Sequence, residues 1–156
     1  MTSKHEVFCA LENAGIISKK EREIIELSLN NQNENEKKQN EKLNEIIISK
    51  ILREIGVSCN LLGYDYIKAS IIIGLDEPNA FRMITKELYP RIAKQFGSTS
   101  SRVERGIRHA VENAWDRGNL EILHNIFGYS TSSEKGKPTN SEFLATVVEY
   151  IKVNLL

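Results

Sequence analysis

The sequence is short of what most site chemistries require. It has two cysteines, Cys9 and Cys59, which stand far apart with no CxxC spacing and no histidine-rich company. That excludes a disulfide framework and a zinc site, and both residues read as ordinary thiols of a cytoplasmic protein. The three histidines, His5, His109 and His124, have no nucleophile at a recognisable spacing. A phosphate-cradling glycine loop and a paired-carboxylate constellation are missing too. The expectation is therefore no enzyme, no cofactor and no metal. No apolar run approaches the ~20 residues that cross a bilayer, so no membrane partner is expected. The opening MTSKHEVFCALENAG is too short and too acidic in its apolar part for a secretory signal. Net charge is absent as well, because 21 Lys plus Arg balance 21 Asp plus Glu. A nonspecific nucleic-acid coat would be strongly basic, so zero charge excludes that class but leaves room for a sequence reader with a local basic surface.

What is present is helical periodicity, with no strand signal above background. The 156 residues suffice for one domain with a proper core and a small appendage. Residues 5–30 read as two short helices: Val7, Phe8 and Leu11 share a face, Gly15 breaks it, and Ser18 with Glu21 forms a capping box ahead of Ile24, Ile25 and Leu29. Asn30 to Lys42 is polar and low in complexity, a linker that is either flexible or a solvated helix. We place a boundary there, with a helical segment and linker over 1–42 and the main domain over 43–156. In that domain Ile47, Ile48, Ile51, Leu52 and Ile55 form one stripe, closed by Gly56. Ile67, Ile71 and Leu75 form a second over Leu61 onward, and Gly74 to Pro78 is a break. Its isoleucines would suit a strand, but the period is helical. Asn119 caps a short helix through Leu120, Leu123, Ile126 and Phe127, and Gly128 to Asn140 is a loop by composition. Thr139 and Glu142 box the start of a last helix that buries Phe143, Val147, Val148 and Ile151. The expected fold class is all-α: a compact six-helix domain containing a helix-turn-helix, preceded by a short helical segment.

The chemistry gathers between Ile84 and Gly118. Ile84, Leu88, Ile92 and Phe96 recur every four residues, giving one helix with an apolar face. Gly97 can end it in the left-handed conformation, and Thr99 or Ser101 can cap the next. In that next helix, residues 100–117, Ala110, Ala114 and Ile107 fall within about 40° of Val103 at about 100° per residue. Arg102, Glu104, Arg105, Arg108, His109 and Glu112 spread over the other side. A helix, a tight glycine turn and a helix place the second helix in the major groove, where arginine forks suit guanine edges and phosphates. Small Ala93, Gly97 and apolar Val103 fit the usual pattern. Gly106 departs from it, since glycine inside a helix costs about 1 kcal/mol relative to alanine.

From about Ile48 to Ile151 the chain resembles the effector domain of the stage-zero sporulation regulator A family. The residues that carry the likeness include Ser49 to Val57, Ile84 to Pro90, Ser101 to Arg105, Ile107 to Ala110, Ala114-Trp115, Arg117 to Asn119, Phe127 to Tyr129 and Lys137 to Phe143. The resemblance implies a six-helix domain whose fourth helix reads a short box in double-stranded DNA, often in tandem sites bound by paired domains. Carried over residue by residue, the base-reading glutamate and two arginines fall on Glu104, Arg105 and Arg108, which suit cytosine N4 and guanine O6 and N7. Arg102 and His109 flank them and are assigned to phosphates, as are Ser98, Thr99, Ser100 and Ser101 at the helix N-terminus. Lys135 and Lys137 of the loop can approach the DNA backbone. The family's region after the recognition helix is implicated in meeting the sigma subunit of RNA polymerase, which points to Gly118 and Phe127.

Plainer uses of the same residues stand beside these. Glu104 can close a capping box with Ser101, Arg108 can pair with Glu104 or Glu112, and Trp115 and Phe127 suit a core. The full-length family carries an α/β phosphoreceiver more than twice as long as the segment before residue 43. Here that segment has no alternating strands and no aspartate before Asp65. The expectation is a regulator not controlled by its own phosphorylation, its first helices serving as a pairing or regulator-binding segment. The alternative is a protein-interaction paralogue that modulates the full-length regulator or polymerase without reading DNA; the intact Glu104, Arg105 and Arg108 favour the first reading.

Overall fold

The computed structural model describes residues 3–128 and 136–155, and among these all regular structure is helical. The elements are α1 (Lys4–Asn13), α2 (Lys19–Ile55), α3 (Leu62–Asp76), α4 (Tyr89–Gln95), α5 (Ser100–Arg117), α6 (Leu120–Phe127) and α7 (Asn140–Asn154). A single π-helical turn, Ile84–Leu88, leads into α4. Tyr129 and Lys135 of the expected loop lie outside the described residues.

The chain divides into two compact units, Met1–Leu43 and Asn44–Leu156. In the first, Ser3 and Glu6 box the start of α1, and Ser18 and Glu21 do the same for α2 as the sequence suggests. The Ser18 backbone N–H, then its hydroxyl, holds the Glu21 carboxyl below the usual value. Arg22 pairs with Glu12 of α1 at 2.7 Å, and Glu26 lies 3.3 Å from His5. None of the unit's described residues is buried.

Helix α2 corrects the expectation of two short N-terminal helices. It does not stop near Asn30 but runs on to Ile55, so the polar stretch takes the solvated-helix form of its two alternatives. Residues 30–42 are exposed throughout, yet they contain no glycine or proline. Glu, Lys and Gln lose little in a helix, and Glu34–Lys38 and Lys37–Glu41 have the favourable four-residue spacing. Nothing there stops a helix once it has started.

The second unit holds the core. Ile48, Leu52 and Ile55 come from the last turns of α2, Tyr66, Ile67 and Ile71 from α3, and Phe143, Leu144, Val147 and Ile151 from α7. Each such side chain taken out of water stabilises by about 1.5–3 kcal/mol before entropy is counted. Helix α3 carries its isoleucines as a helix; it runs past Gly74 and ends at Asp76, inside the expected break. Gly74 lies against the Phe81 ring.

The helix expected from Ile84 to Phe96 is two pieces. Tyr89 N–H reaches back five residues to the Ile84 carbonyl, and Pro90 sits in the first turn of α4. Proline lacks the N–H that an α-helix would bond at that point, and its ring would collide with the carbonyl four residues back. The wider turn absorbs both problems, so the apolar period of four survives across an interrupted backbone.

Candidate nucleic-acid interface

Helix α4 ends where Gly97 takes φ +59°, with Ser98 N–H bonded to the Ala93 carbonyl at 2.8 Å. This is the left-handed stop the sequence suggests. Thr99 then caps α5, its hydroxyl accepting from Arg102 N–H at 3.3 Å. Ser98 is used differently: its oxygen accepts from the Tyr66 hydroxyl at 3.1 Å, which ties the turn to α3. The four hydroxyl residues Ser98 to Ser101 around the start of α5 are therefore not equivalent. Thr99 and Ser101 are exposed, whereas Ser98 and Ser100 are half-buried.

Helix α5 spans Ser100–Arg117 and buries Val103, Ile107, Ala110, Val111 and Ala114. Burial of this stripe decides which way the rest must face. Arg102, Arg105, Arg108 and His109 are exposed, and Glu104 is partly covered. The structure thus leaves the three expected base-reading residues and the flanking Arg102 and His109 on the side of α5 away from its buried stripe. Gly106 now has a physical reason. A Cβ there would lie 3.0 Å from the Tyr66 ring, and one on Gly63 would lie 2.0 Å from the Gly106 carbonyl oxygen. The backbones of α3 and α5 meet at that crossing.

The plainer uses are partly realised. Glu104 does not box with Ser101; it forms an ion pair with Arg108 one turn on. Lys137, expected at phosphate, is bonded to Asp116 of α5 at 2.8 Å. Phe127 is 3 % exposed. Its ring stacks on Phe143 at 5.4 Å and meets Trp115 edge-on at 4.8 Å, so it is spent inside the domain and offers a partner little surface. Gly118 closes α5 beneath the Ile55 carbonyl, which a Cβ would approach to 2.5 Å.

Two contributors were not legible in the sequence. Asn140, the first residue of α7, donates to the Tyr89 hydroxyl at 3.0 Å and to the Glu104 carbonyl at 3.1 Å. Burial pushes the Tyr89 phenol up from its ordinary value, against smaller opposing effects of Asn140 and Arg108, so it stays protonated. Between α5 and the arm formed by residues 137–141 lies a cleft of about 460 Å³ walled by Glu104, Arg108, Glu112 and Lys137. No group of His, Cys, Asp and Glu among the described residues could hold a metal ion, and no helix among them is long and apolar enough to cross a membrane.

Against this geometry, the family model for the C-terminal domain of sporulation initiation factor Spo0A matches residues 48–151.

Proposed function

The chain belongs to the family of Spo0A C-terminal domains, which are DNA-binding transcription-factor domains, and from that premise we propose that it reads a specific sequence in double-stranded DNA with α5 in the major groove. The observation that carries this is the division of α5 into a buried apolar stripe and an exposed face bearing Arg102, Arg105, Arg108 and His109. Glu104, Arg105 and Arg108 read base edges, a carboxylate accepting from cytosine and guanidinium forks donating to guanine. The Glu104–Arg108 pair holds both side chains on the same ridge before DNA arrives. Arg102, His109 and the hydroxyls of Ser98 to Ser101 position the helix on phosphates, and Lys137 exchanges Asp116 for a phosphate oxygen on binding.

Two copies side by side on tandem sites is the arrangement we propose on DNA. The polymerase contact falls on exposed Leu120 next to Gly118, since Phe127 is buried. The first unit carries α1 and the start of α2, and we assign it a pairing or regulator-binding role. The test is a binding titration at fixed salt against a duplex carrying the family's box and a scrambled duplex of the same composition. A preference of at least about a thousandfold is expected of a specific reader. Equal affinity for the two would leave only common ancestry.

A further inference from the structure

Asn140 opens α7, but α7 does not need its side chain to start. The Thr139 hydroxyl accepts from Glu142 N–H at 3.2 Å, and the Glu142 carboxylate accepts from Thr139 N–H at 3.0 Å. That reciprocal box already satisfies the first turn. The Asn140 amide has two hydrogens, and both leave its own helix. One goes to the first residue of α4 and the other to a carbonyl in the second turn of α5, the helix that carries the exposed arginines. A helical carbonyl has two lone pairs, of which the helix uses one, so Glu104 accepts this bond without giving up its own. Tyr89 is a fixed anchor, being 4 % exposed.

The rest of the arm repeats the pattern. Lys137 holds Asp116 at the far end of α5, and the Ser141 hydroxyl donates to the Phe81 carbonyl at 3.1 Å. The segment from Lys137 to Ser141 therefore runs beside α5 and touches it near both ends. Elsewhere along α5, the Gly63–Gly106 crossing is a close packing of its backbone against α3.

We propose that Asn140 is a positioning residue for DNA readout: its side-chain amide pins the Glu104 carbonyl to α4, and so sets the roll of the base-reading half of α5. Bidentate pairing to a base edge tolerates little rotation of the donor, whereas a phosphate accepts a cation from many directions. Loss of the clamp therefore degrades discrimination before it degrades general affinity. This deepens the proposed DNA-reading role and rests on it.

The experiment uses the full chain and three variants: Asn140→Ala, Asn140→Asp and Tyr89→Phe. Affinity is measured on the box duplex and the scrambled duplex, with the salt slope and the thermal midpoint of each protein. Asn140→Ala should lower the ratio of the two affinities about five- to tenfold, the loss expected for one to one and a half kcal/mol of hydrogen bonding, with the salt slope unchanged. Asn140→Asp, at neutral pH a carboxylate that can accept from the Tyr89 hydroxyl but has nothing to donate to the Glu104 carbonyl and repels it, should lower it further. Tyr89→Phe removes only the anchor and should lower it least. A purely structural role would shift the thermal midpoint while both affinities fell in parallel or not at all, and that result would overturn the proposal. Absence of any preference in the unsubstituted protein would instead remove the DNA-reading role itself, and is distinguished by appearing before any substitution.

Discussion

Gly63 and Gly106 bring the backbones of α3 and α5 close together: a Cβ added to Gly63 would sit 2.0 Å from the Gly106 carbonyl oxygen and 2.9 Å from the Ala110 methyl. This crossing sets how deeply α5 beds against α3, and so how far its arginines stand out.

Two substitutions separate the two glycines. Gly63→Ala meets backbone, which cannot swing aside, and should destabilise by about 2–3 kcal/mol despite the helix propensity that alanine adds. Gly106→Ala meets the Tyr66 ring at 3.0 Å, and that ring is held by Ser98 and by an edge-on Phe96 at 5.3 Å. Its steric cost is largely offset by propensity, for a net loss of about 1 kcal/mol or less. Urea midpoints of the two variants check the order; a Gly106→Ala protein weaker than Gly63→Ala would contradict the crossing described.

The arginines should divide into two classes. Arg105→Ala or Arg108→Ala should cost about 1–3 kcal/mol on the box and relax discrimination at one base pair. Arg102→Ala should weaken every duplex alike and flatten the salt slope by about one. Binding titrations over a salt series distinguish them, and a uniform loss for all three would refute the base-reading assignment. Folding stability should barely change in Arg108→Ala, since an exposed pair at this spacing contributes only about 0.3–0.5 kcal/mol.

Thr99→Ala removes the hydroxyl that accepts from Arg102 N–H and should cost about 1 kcal/mol of stability. Thr99→Ser keeps the cap and should restore most of it. Thermal midpoints of the pair measure the difference, and equal losses would mean that the hydroxyl contributes nothing to the cap.

Tyr89 makes stability pH-dependent on the alkaline side. Its phenol is pushed above 10.0 in the fold, chiefly by burial, so the native state holds that proton more tightly than the unfolded chain. The contribution is complete below the unfolded value and is lost as pH rises through the folded one. Urea midpoints should therefore decline above about pH 10. The decline should be shallower in Tyr89→Phe; an identical alkaline limb in both proteins would show that Tyr89 is not its source.

Much of the candidate site was legible because it is written locally. Gly97 needs only its own φ, Thr99 only the N–H of Arg102, and the stripe of Val103, Ile107, Ala110 and Ala114 only the helical period. What escaped was interruption or pairing. The turn before Pro90 preserved the apolar spacing that would have betrayed it, and the polar stretch of α2 offered no stop signal to read. Lys137 and Phe127 look available in the sequence because Asp116 and Phe143 are not beside them there.

By itself, then, the order of residues determined where α5, α6 and α7 start, the glycine turn and which side of α5 must be wet, since each depends on neighbours within about one or two turns. Only the tertiary structure decided that Gly106 faces Gly63, that Asn140 bonds the Glu104 carbonyl, and that Arg108 rests on Glu104 rather than Glu112. The first two join residues far apart in the chain, and the third is a choice between equally spaced carboxylates. Such choices follow from which faces meet and at what angle, and no local period carries that information.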